Sequence, residues 1–508
     1  MSDFRFPLAG SYNTRVSSTN VTTSASGVVG IGVVGVMVVG LTGTTTTKDQ
    51  RFVNCFTERV VNPYTGNTTL YLVKRPGFAS IMTPQSGSIG NALLVWTGNA
   101  NKIMSAFGAS NSSIYDSTTQ LVTNAADTTA ITGKATAIIE TDLSGTATLY
   151  IPSSDNTAWY YQNAGTVTKI SDADYPGNAG FTLAGFGAPM DGYMFQMTTD
   201  GKIWNSDLNS ITSWTATGFV TANSYPDRGI GCVRKGDKIM AFGTETTQFY
   251  YNAGLASGSP LARVEPMTIK IGCVHADAVC NVGDTVYWCG SPPEGGISIY
   301  AYGSSLQKVS TPEIDSIILL AGASNITLAS GVWYGRHFVV VSAGPNSFAY
   351  CVEEKAWFEM SSTVNLWYKS SGVSAGSPQV NYWISKSSTS GRIFVINPAS
   401  LTFQDNGVAY TATIQTSLIG EGNRRTSWDE IEVIGDQEDS TSTLTIAVND
   451  NDYDTASTVV IGTVNLADPR PRLTRCGSAY RRSWILTHAT NGPMRIEALA
   501  GRRTVGTG

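Results

Sequence analysis

Short apolar runs that begin after a glycine recur along most of the chain. They start at Gly90, Gly145, Gly192, Gly236, Gly283, Gly335 and Gly391. Their spacings of 44 to 56 residues lie near the roughly 40–50 residues of a four-stranded propeller blade. A second short run follows several of them, with Gly, Asn, Ser or Pro between, which is typical of an antiparallel meander. The pattern therefore predicts an all-β fold.

A series of such meanders would expose apolar sheet faces unless the units packed around an axis. The arrangement that this favours is a β-propeller. Seven runs enclose six complete intervals, which favours about six blades and allows seven. Regular β-sandwiches in series are the alternative. The best helix candidate is residues 312–320, which begin with Pro and carry two acidic residues in the first turn.

The pattern changes at both ends of the chain. Residues 1–50 are predicted to form an N-terminal arm with a Gly/Val-rich β insertion, and residues 51–400 the propeller. After residue 400 the strand-like runs lie closer together, at 410–417, 430–434, 443–448 and 483–487. Residues 401–508 are therefore predicted to form a small, sandwich-like C-terminal β domain.

Composition narrows the classes of function. Charged residues make up 14% of the 508 residues and the net charge is −5, against roughly 25% charged residues in typical soluble domains. No run of Lys or Arg exceeds two residues, which argues against a strong nucleic-acid-binding patch. Seven cysteines without a CxxC pair indicate free thiols in a reducing compartment. No signal peptide is expected, because the apolar stretch from Gly27 lacks a basic flank and a cleavage site.

The Gly/Val segment, residues 27–41, contains Gly30, Gly32 and Gly35 in the spacing of a dinucleotide-binding fingerprint. A nucleotide site needs a helix directly after the glycines, whereas β-branched residues and then threonines follow here. At 15 residues the segment is also shorter than the roughly 20 that cross a membrane as a helix. We expect a strand pair buried in the fold or between subunits; a loop that contacts a membrane or a partner is the alternative. The three glycines are interaction candidates.

Motifs that could carry chemistry are incomplete. Residues 372–376 have GxSxG spacing but precede Pro378 rather than a helix, and the three histidines, at 275, 337 and 488, have no triad spacing. Residues 450–454 alternate carboxylates as Ca²⁺ loops do, yet lack the turn glycine and the distal Glu, so a hairpin tip is favoured. Residues 198–204 loosely resemble a structural Asp-box turn. We therefore predict no catalytic residue, no cofactor and no metal site.

Several segments in a shared order resemble the packaged-DNA stabilization proteins of short-tailed phages, also called tail hub or nozzle proteins. The resemblance covers roughly residues 49–500, and the block at 24–47 looks inserted. The matching segments are residues 49–56, 72–78, 205–209 with Trp214, 225–231, 242–254, 449–452 and 475–482.

The resemblance implies a structural virion protein of the tail, assembled in the host cytoplasm. It implies a ring, commonly a homohexamer, below the portal and its adaptor, which continues the DNA channel and retains packaged DNA. Fibres, spikes or a needle attach to such rings, and double-stranded DNA passes without specific binding. No catalytic or cofactor residue is implied. The alternatives are a receptor- or carbohydrate-binding tail component and a propeller enzyme acting on glycans.

Arg481 and Arg482 are the remaining interaction candidates. We expect one of them to pair with a carboxylate, either in the C-terminal domain or across a subunit boundary.

Overall fold

The protein is built almost entirely from short antiparallel strands. The computed structural model describes residues 2–7 and 51–506, except 62, 65, 67, 85, 119–120, 144, 163–165, 223–226, 256, 362–367, 374–379, 386–390, 397–400, 421–422, 440 and 452–454. The described part contains 44 strands and one α-helix, α1 (Pro312–Ala321), together with two short 3₁₀ turns at Ala323–Asn325 and Thr455–Ser457. The helix coincides with the predicted one.

Five strands precede the first repeat: β1 (Ser2–Pro7), β2 (Arg51–Val53), β3 (Cys55–Val61), β4 (Thr68–Lys74) and β5 (Ala79–Met82). The repeats then form seven sheets in chain order. Sheet 1 contains β6 (Gly90–Trp96), β7 (Lys102–Phe107), β8 (Ser112–Thr118) and β9 (Leu121–Ile131). Sheet 2 contains β10 (Ile139–Leu143), β11 (Thr146–Pro152), β12 (Ala158–Gln162) and β13 (Thr168–Lys169). Sheet 3 contains β14 (Leu183–Met190), β15 (Tyr193–Thr198), β16 (Lys202–Ser206) and β17 (Trp214–Thr221).

The next sheets repeat this order. Sheet 4 contains β18 (Gly229–Lys235), β19 (Lys238–Gly243), β20 (Thr247–Asn252) and β21 (Leu261–Ile269). Sheet 5 contains β22 (Gly272–Cys273), β23 (Val279–Val282), β24 (Thr285–Ser291), β25 (Ser298–Tyr302) and β26 (Leu306–Lys308). Sheet 6 contains β27 (Ile326–Trp333), β28 (Arg336–Ala343), β29 (Asn346–Cys351) and β30 (Ala356–Met360). Sheet 7 contains β31 (Tyr368–Val373), β32 (Asn381–Ser385) and β33 (Ile393–Ile396).

The seven sheets close into a propeller. Each sheet contacts the following sheet through one of its first strands, and β31 of sheet 7 contacts β6 of sheet 1, which completes the circle. The fourth strand of sheet 7 is β5, which pairs antiparallel with β33. The described strands thus form seven sheets, one more than the favoured six, because each of the seven glycine-led runs lies in a different sheet and the last sheet borrows its outer strand from the N-terminal side.

The remaining strands form a two-layer sandwich, called here the C-terminal sandwich. They are β34 (Gln404–Asp405), β35 (Val408–Ala409), β36 (Ala412–Gln415), β37 (Ile419–Gly420), β38 (Thr426–Gly435), β39 (Thr443–Asn449), β40 (Thr458–Asn465), β41 (Arg472–Thr474), β42 (Ser478–Ala479), β43 (Arg481–His488) and β44 (Arg495–Val505). One layer has the order β3-β4-β44-β38-β41, in which β1 also pairs with β44 and β42 with β38. The other layer has the order β2-β36-β43-β39-β40, in which β37 also pairs with β43, whereas β34 and β35 form a separate two-stranded sheet. The rings of Trp428 and Trp484 meet edge to face between the layers, at a centroid distance of 5.5 Å.

Strand β2 joins the two parts of the protein. It pairs in parallel with β30 of sheet 6 and antiparallel with β36 of the sandwich, so one ten-stranded sheet runs from the propeller into the sandwich. The division at residues 50 and 400 stays a prediction. However, β2 and β4, which fall in the predicted propeller range, pair with the C-terminal strands β36 and β44, and β3 pairs with β4. Alternating apolar residues do not show which distant sheet a strand will join.

Candidate functional site

The space that the propeller sheets leave between them is narrow. Sheets 3 to 6 line a cavity of about 310 Å³, to which Phe186, Val233, Val279 and Leu328 each contribute from a different sheet. That volume is at the lower end of the range for small-molecule sites, roughly 300–1,000 Å³. Beside it, a Cβ atom built at Gly185 of sheet 3 would lie 2.1 Å from the Cβ atom of Ala276 in sheet 5. A DNA duplex therefore cannot pass through the propeller of one chain.

A buried ion pair lies where the propeller meets the sandwich. Arg75, directly after β4, donates from its two terminal nitrogens to the carboxylate of Asp405, at 3.0 and 2.6 Å. Its other N–H groups reach Asn54 Oδ1 at 2.8 Å, the Pro76 carbonyl at 2.9 Å and the Ser361 carbonyl at 3.0 Å. All five donors of the guanidinium thus have acceptors. Because Ser361 ends sheet 6 and Asp405 begins the C-terminal strands, this cluster fixes one part against the other.

The Tyr410 side chain completes this junction. Its ring lies 3.8 Å from the guanidinium carbon of Arg75, and its hydroxyl donates to the Arg75 carbonyl. Both charged groups are buried, Arg75 at 1% and Asp405 at 0% exposure. A buried charge is costly unless it is fully paired. The cluster therefore stabilises the contact between the two parts of the protein and is not an open binding site.

A second buried cluster places a serine, a histidine and a lysine in a row. Ser442 Oγ lies 2.9 Å from His488 Nε2, and His488 Nδ1 lies 3.3 Å from Lys74 Nζ, which also donates to the Thr490 carbonyl at 2.7 Å. Burial, with a further contribution from the Lys74 charge, lowers the pKa of His488 to about 4. Burial also lowers the pKa of Lys74 to about 8. All three side chains are buried, so no substrate reaches the serine.

Arg482 forms an ion pair within the sandwich. It binds the Asp450 carboxylate through two hydrogen bonds of 2.7 Å, donates to the Cys476 carbonyl, and lies over the Trp484 ring. One of the two arginines thus pairs with a carboxylate, whereas Arg481 is exposed. A role for either arginine in contacts with partners stays a prediction. Gly30, Gly32 and Gly35 lie outside the described residues.

The other motifs fall into structural positions. Residues 450–454 lie between β39 and β40, although 452–454 are outside the described residues. The turn at 198–204 connects β15 with β16, where Thr198 Oγ1 donates to Asp200 at 2.5 Å. Of the GxSxG segment, only residues 372–373 are described, at the end of β31. No metal-binding group of His, Cys, Asp and Glu occurs in the described part of the chain, and none of its helices could span a membrane. All seven cysteines are free thiols.

Sequence reasoning did not find the two buried clusters. Arg75 and Asp405 lie 330 positions apart, and Lys74 and His488 lie 414 apart. No spacing rule links residues at such distances. The available signal was the Lys-Arg-Pro-Gly stretch at 74–77, which places two charges directly after an apolar strand. That these charges need buried partners follows only from the strand's position in the fold.

Comparison with protein families decides the identity of the propeller. Residues 95–399, more than half of the chain, match the family described as Bacteriophage P22 Gp10, beta-propeller. The chain belongs to this family. Membership in the P22 Gp10 family confirms the predicted family resemblance and the β-propeller fold, and it makes the protein a phage structural protein and a component of the virion. No curated protein matches the sequence.

Solved structures with low sequence identity resemble this P22 Gp10 family member only remotely. The computationally designed Ika8 protein is 12% identical, with a TM-score of 0.38 over 63% of this chain and 99% of that one. The extracellular domain of the putative hybrid two component system BT4673 from B. thetaiotaomicron is 10% identical, with a TM-score of 0.40 over 63% and 39%. Chaetomium thermophilum Raptor is 10% identical, with a TM-score of 0.38 over 63% and 28%.

Proposed function

We propose that the protein is the tail hub or nozzle subunit of a short-tailed phage. In this proposal several copies, commonly six, form a ring below the portal and its adaptor. The ring continues the DNA channel, retains packaged DNA and anchors fibres, spikes or a needle. Assembly takes place in the host cytoplasm, and the protein acts without catalysis. The observation that carries the proposal is the family match over the propeller.

The small size of the cavity supports the proposal that the DNA channel lies between copies of the chain. A cavity of about 310 Å³ inside one propeller leaves no passage for a duplex. If DNA passes this protein, it must pass along a surface shared by several chains. A closed ring of identical subunits is the common way in which proteins build such a passage.

The connection between propeller and sandwich supports the proposal that the subunit forms a stiff channel wall. The ten-stranded sheet crosses from β30 through β2 to β36, and the exposed Arg51–Glu359 pair spans the same boundary, with N–O distances of 2.7 and 2.6 Å. Backbone hydrogen bonds together with the buried Arg75 cluster leave little freedom for a hinge. A wall that confines DNA under pressure needs such stiffness.

The net charge of the chain supports the proposal that DNA passes along the channel wall without binding to it. Each phosphate that a protein neutralises adds affinity and slows a sliding duplex. The chain carries only 33 basic against 38 acidic residues among 508, so its average surface weakly repels DNA. Retention of packaged DNA then depends on closure by partners rather than on adhesion.

The test is electron microscopy of the purified protein, alone and mixed with a portal–adaptor complex. We expect rings that cap the adaptor coaxially. The matched measurement is a DNA-binding assay at about 0.1 M salt, in which we expect no stable complex because the surface is weakly acidic. A particle that stays monomeric and never caps the adaptor contradicts the proposal. A monomer or trimer that instead binds glycans or receptors would support the alternative of a receptor-binding component.

A further inference from the structure

Among the strands that the structure describes, β40 (Thr458–Asn465) is an outer edge of the sandwich without a charge or a proline. It pairs with β39 on one side and ends the ten-stranded sheet on the other. Its sequence, TVVIGTVN, has no charged residue and no proline. Val459 is 58% exposed and Val460 is 63% exposed. Such an edge offers unpaired backbone groups and apolar side chains to any strand that can pair with it.

Several other outer strands of the described part carry the usual protection against pairing. Strand β3 contains Glu58 and Arg59, β26 contains Lys308, and β21 contains Arg263 and Glu265. Strand β17 has no charge, but its exposed positions are small or polar residues rather than valines. Proteins keep edge strands from associating by means of charges, prolines and bulges. Strand β40 has neither a charge nor a proline, and its one irregularity is a shift of one residue in its register with β39, at Ile461. An edge with two of the three devices missing is suited to pairing in the assembled protein.

The chain contains a sequence with matching properties. From Val16 to Thr47 no residue is charged, and residues 27–41 contain seven valines and one isoleucine. Valine and isoleucine favour strands, and an apolar, uncharged segment gains most from covering an apolar, uncharged edge. We propose that residues 27–41 of a second copy of this chain add to the β40 edge as a further strand.

The length of the connection permits this exchange. Residue 51 begins β2, where Arg51 pairs with Gln415, and β2 lies four strands from β40 in the same layer. At about 4.8 Å per strand, the β40 edge is roughly 19 Å away. The nine residues 42–50 span at most about 30 Å. The segment can therefore extend beyond the edge of its own sandwich, to that of a copy in contact with it.

Symmetry favours strand donation to a second copy over a β40–β40 contact. This step rests on the proposed function, because it presupposes a ring. A closed ring needs a heterologous contact, in which two different surfaces meet, whereas the pairing of β40 with itself produces only a two-fold dimer. A strand given by one copy to the next is heterologous and adds main-chain hydrogen bonds along an eight-residue edge.

Cross-linking between two marked forms tests the exchange directly. One form carries Val34→Cys and the other Val460→Cys, with tags of different size, and the two are co-expressed and treated with a short bismaleimide. We expect a cross-linked pair that contains one chain of each form. The control replaces Val460→Cys by Val61→Cys, which is 55% exposed on the charged strand β3, and should give no pair. Single forms measure the background from the natural cysteines.

A charge on the edge provides the second test. We expect Val460→Lys to reduce the ring to smaller species in light scattering, with an unchanged circular dichroism spectrum, while Val61→Lys leaves the ring intact. Both variants are measured alone and with the portal–adaptor complex. The absence of a cross-linked pair between the two forms overturns the inference, as does a Val460→Lys ring of wild-type mass. Each of these results leaves capping of the adaptor by the wild type, and so the proposed function, standing.

Discussion

Replacing Asp405 by alanine leaves the Arg75 guanidinium buried without its carboxylate. The substitution removes the acceptors of two charge-assisted hydrogen bonds, at 3.0 and 2.6 Å, and one acceptor of the Phe78 amide at 3.2 Å. Arg75 is 1% exposed, so water cannot replace these partners. Breaking a buried pair from one side typically costs about 3–5 kcal/mol. Because the remaining acceptors and the Tyr410 ring stay in place, we expect a loss of about 4 kcal/mol.

Arg51→Ala is the matched control at the same boundary. Arg51 is half exposed and pairs with Glu359 through two hydrogen bonds of similar length. Exposed pairs contribute about 0–1 kcal/mol, because solvent screens the charges. A second variant, Arg75→Met with Asp405→Leu, removes both charges and should recover a large part of the loss, since apolar residues of similar volume replace buried ion pairs well.

The assay is urea unfolding followed by tryptophan fluorescence and by circular dichroism. Coincident transitions from the two probes justify a single free energy of unfolding, and an unchanged m-value excludes a change in the unfolded state. The reasoning is refuted if Asp405→Ala loses no more stability than Arg51→Ala. It is also refuted if the double variant is less stable than Asp405→Ala, because then the packing, rather than the unpaired charge, causes the loss.

Three further outcomes are expected. Folding lowers the pKa of His488 from 6.5 to about 4, so the unfolded chain binds more protons in acid, and the free energy of unfolding should fall by about 3 kcal/mol between pH 7 and pH 4. The His488→Gln variant should flatten this part of the pH profile, and an equal slope in both proteins contradicts the prediction. Burial raises the pKa of the cysteine thiols, for Cys55 to about 12. A thiol reagent at pH 7 should therefore label the native protein slowly, and it should label all seven cysteines after unfolding. Rapid labelling of Cys55 in the native protein would show that its environment is open. A Cβ atom at Gly331 would lie 2.3 Å from the Trp383 ring, so Gly331→Ala should lose about 1–3 kcal/mol, whereas Gly492→Ala, with nothing within 4 Å, should stay within about 0.5 kcal/mol.

The local parts of this fold could be predicted from the sequence, and the long-range pairings could not. Each glycine-led run is a strand whose apolar residues enter the core, and six of the seven glycines have a positive φ before the strand. The number of sheets could not be read from the intervals, because the glycines precede different strands of their sheets. Gly90 begins the first strand of its sheet, whereas Gly391 precedes the third strand of another. Counting intervals therefore missed one sheet.

The position of the N-terminal strands lay beyond such reasoning. Strand β5 completes sheet 7 by pairing with residues more than 300 positions later, and β4 pairs with β44. Their apolar patterns fit a propeller blade and a sandwich equally well. The same holds for Arg75, whose charge predicts a partner but not which one. Arg482 was predictable in part, because its acidic partner lies within the same short stretch of strands.

The closure of sheet 7 by β5 has a consequence for synthesis. The ribosome makes residues 79–82 long before residues 393–395, with which they pair. At about 5–20 residues per second, this strand waits roughly 15–60 s for its partner. Until then the outer position of the last blade is empty and the circle of sheets is open. The chain thus cannot complete its propeller until residues 393–395 have been translated. Truncation near residue 390 would leave the earlier sheets in an open circle.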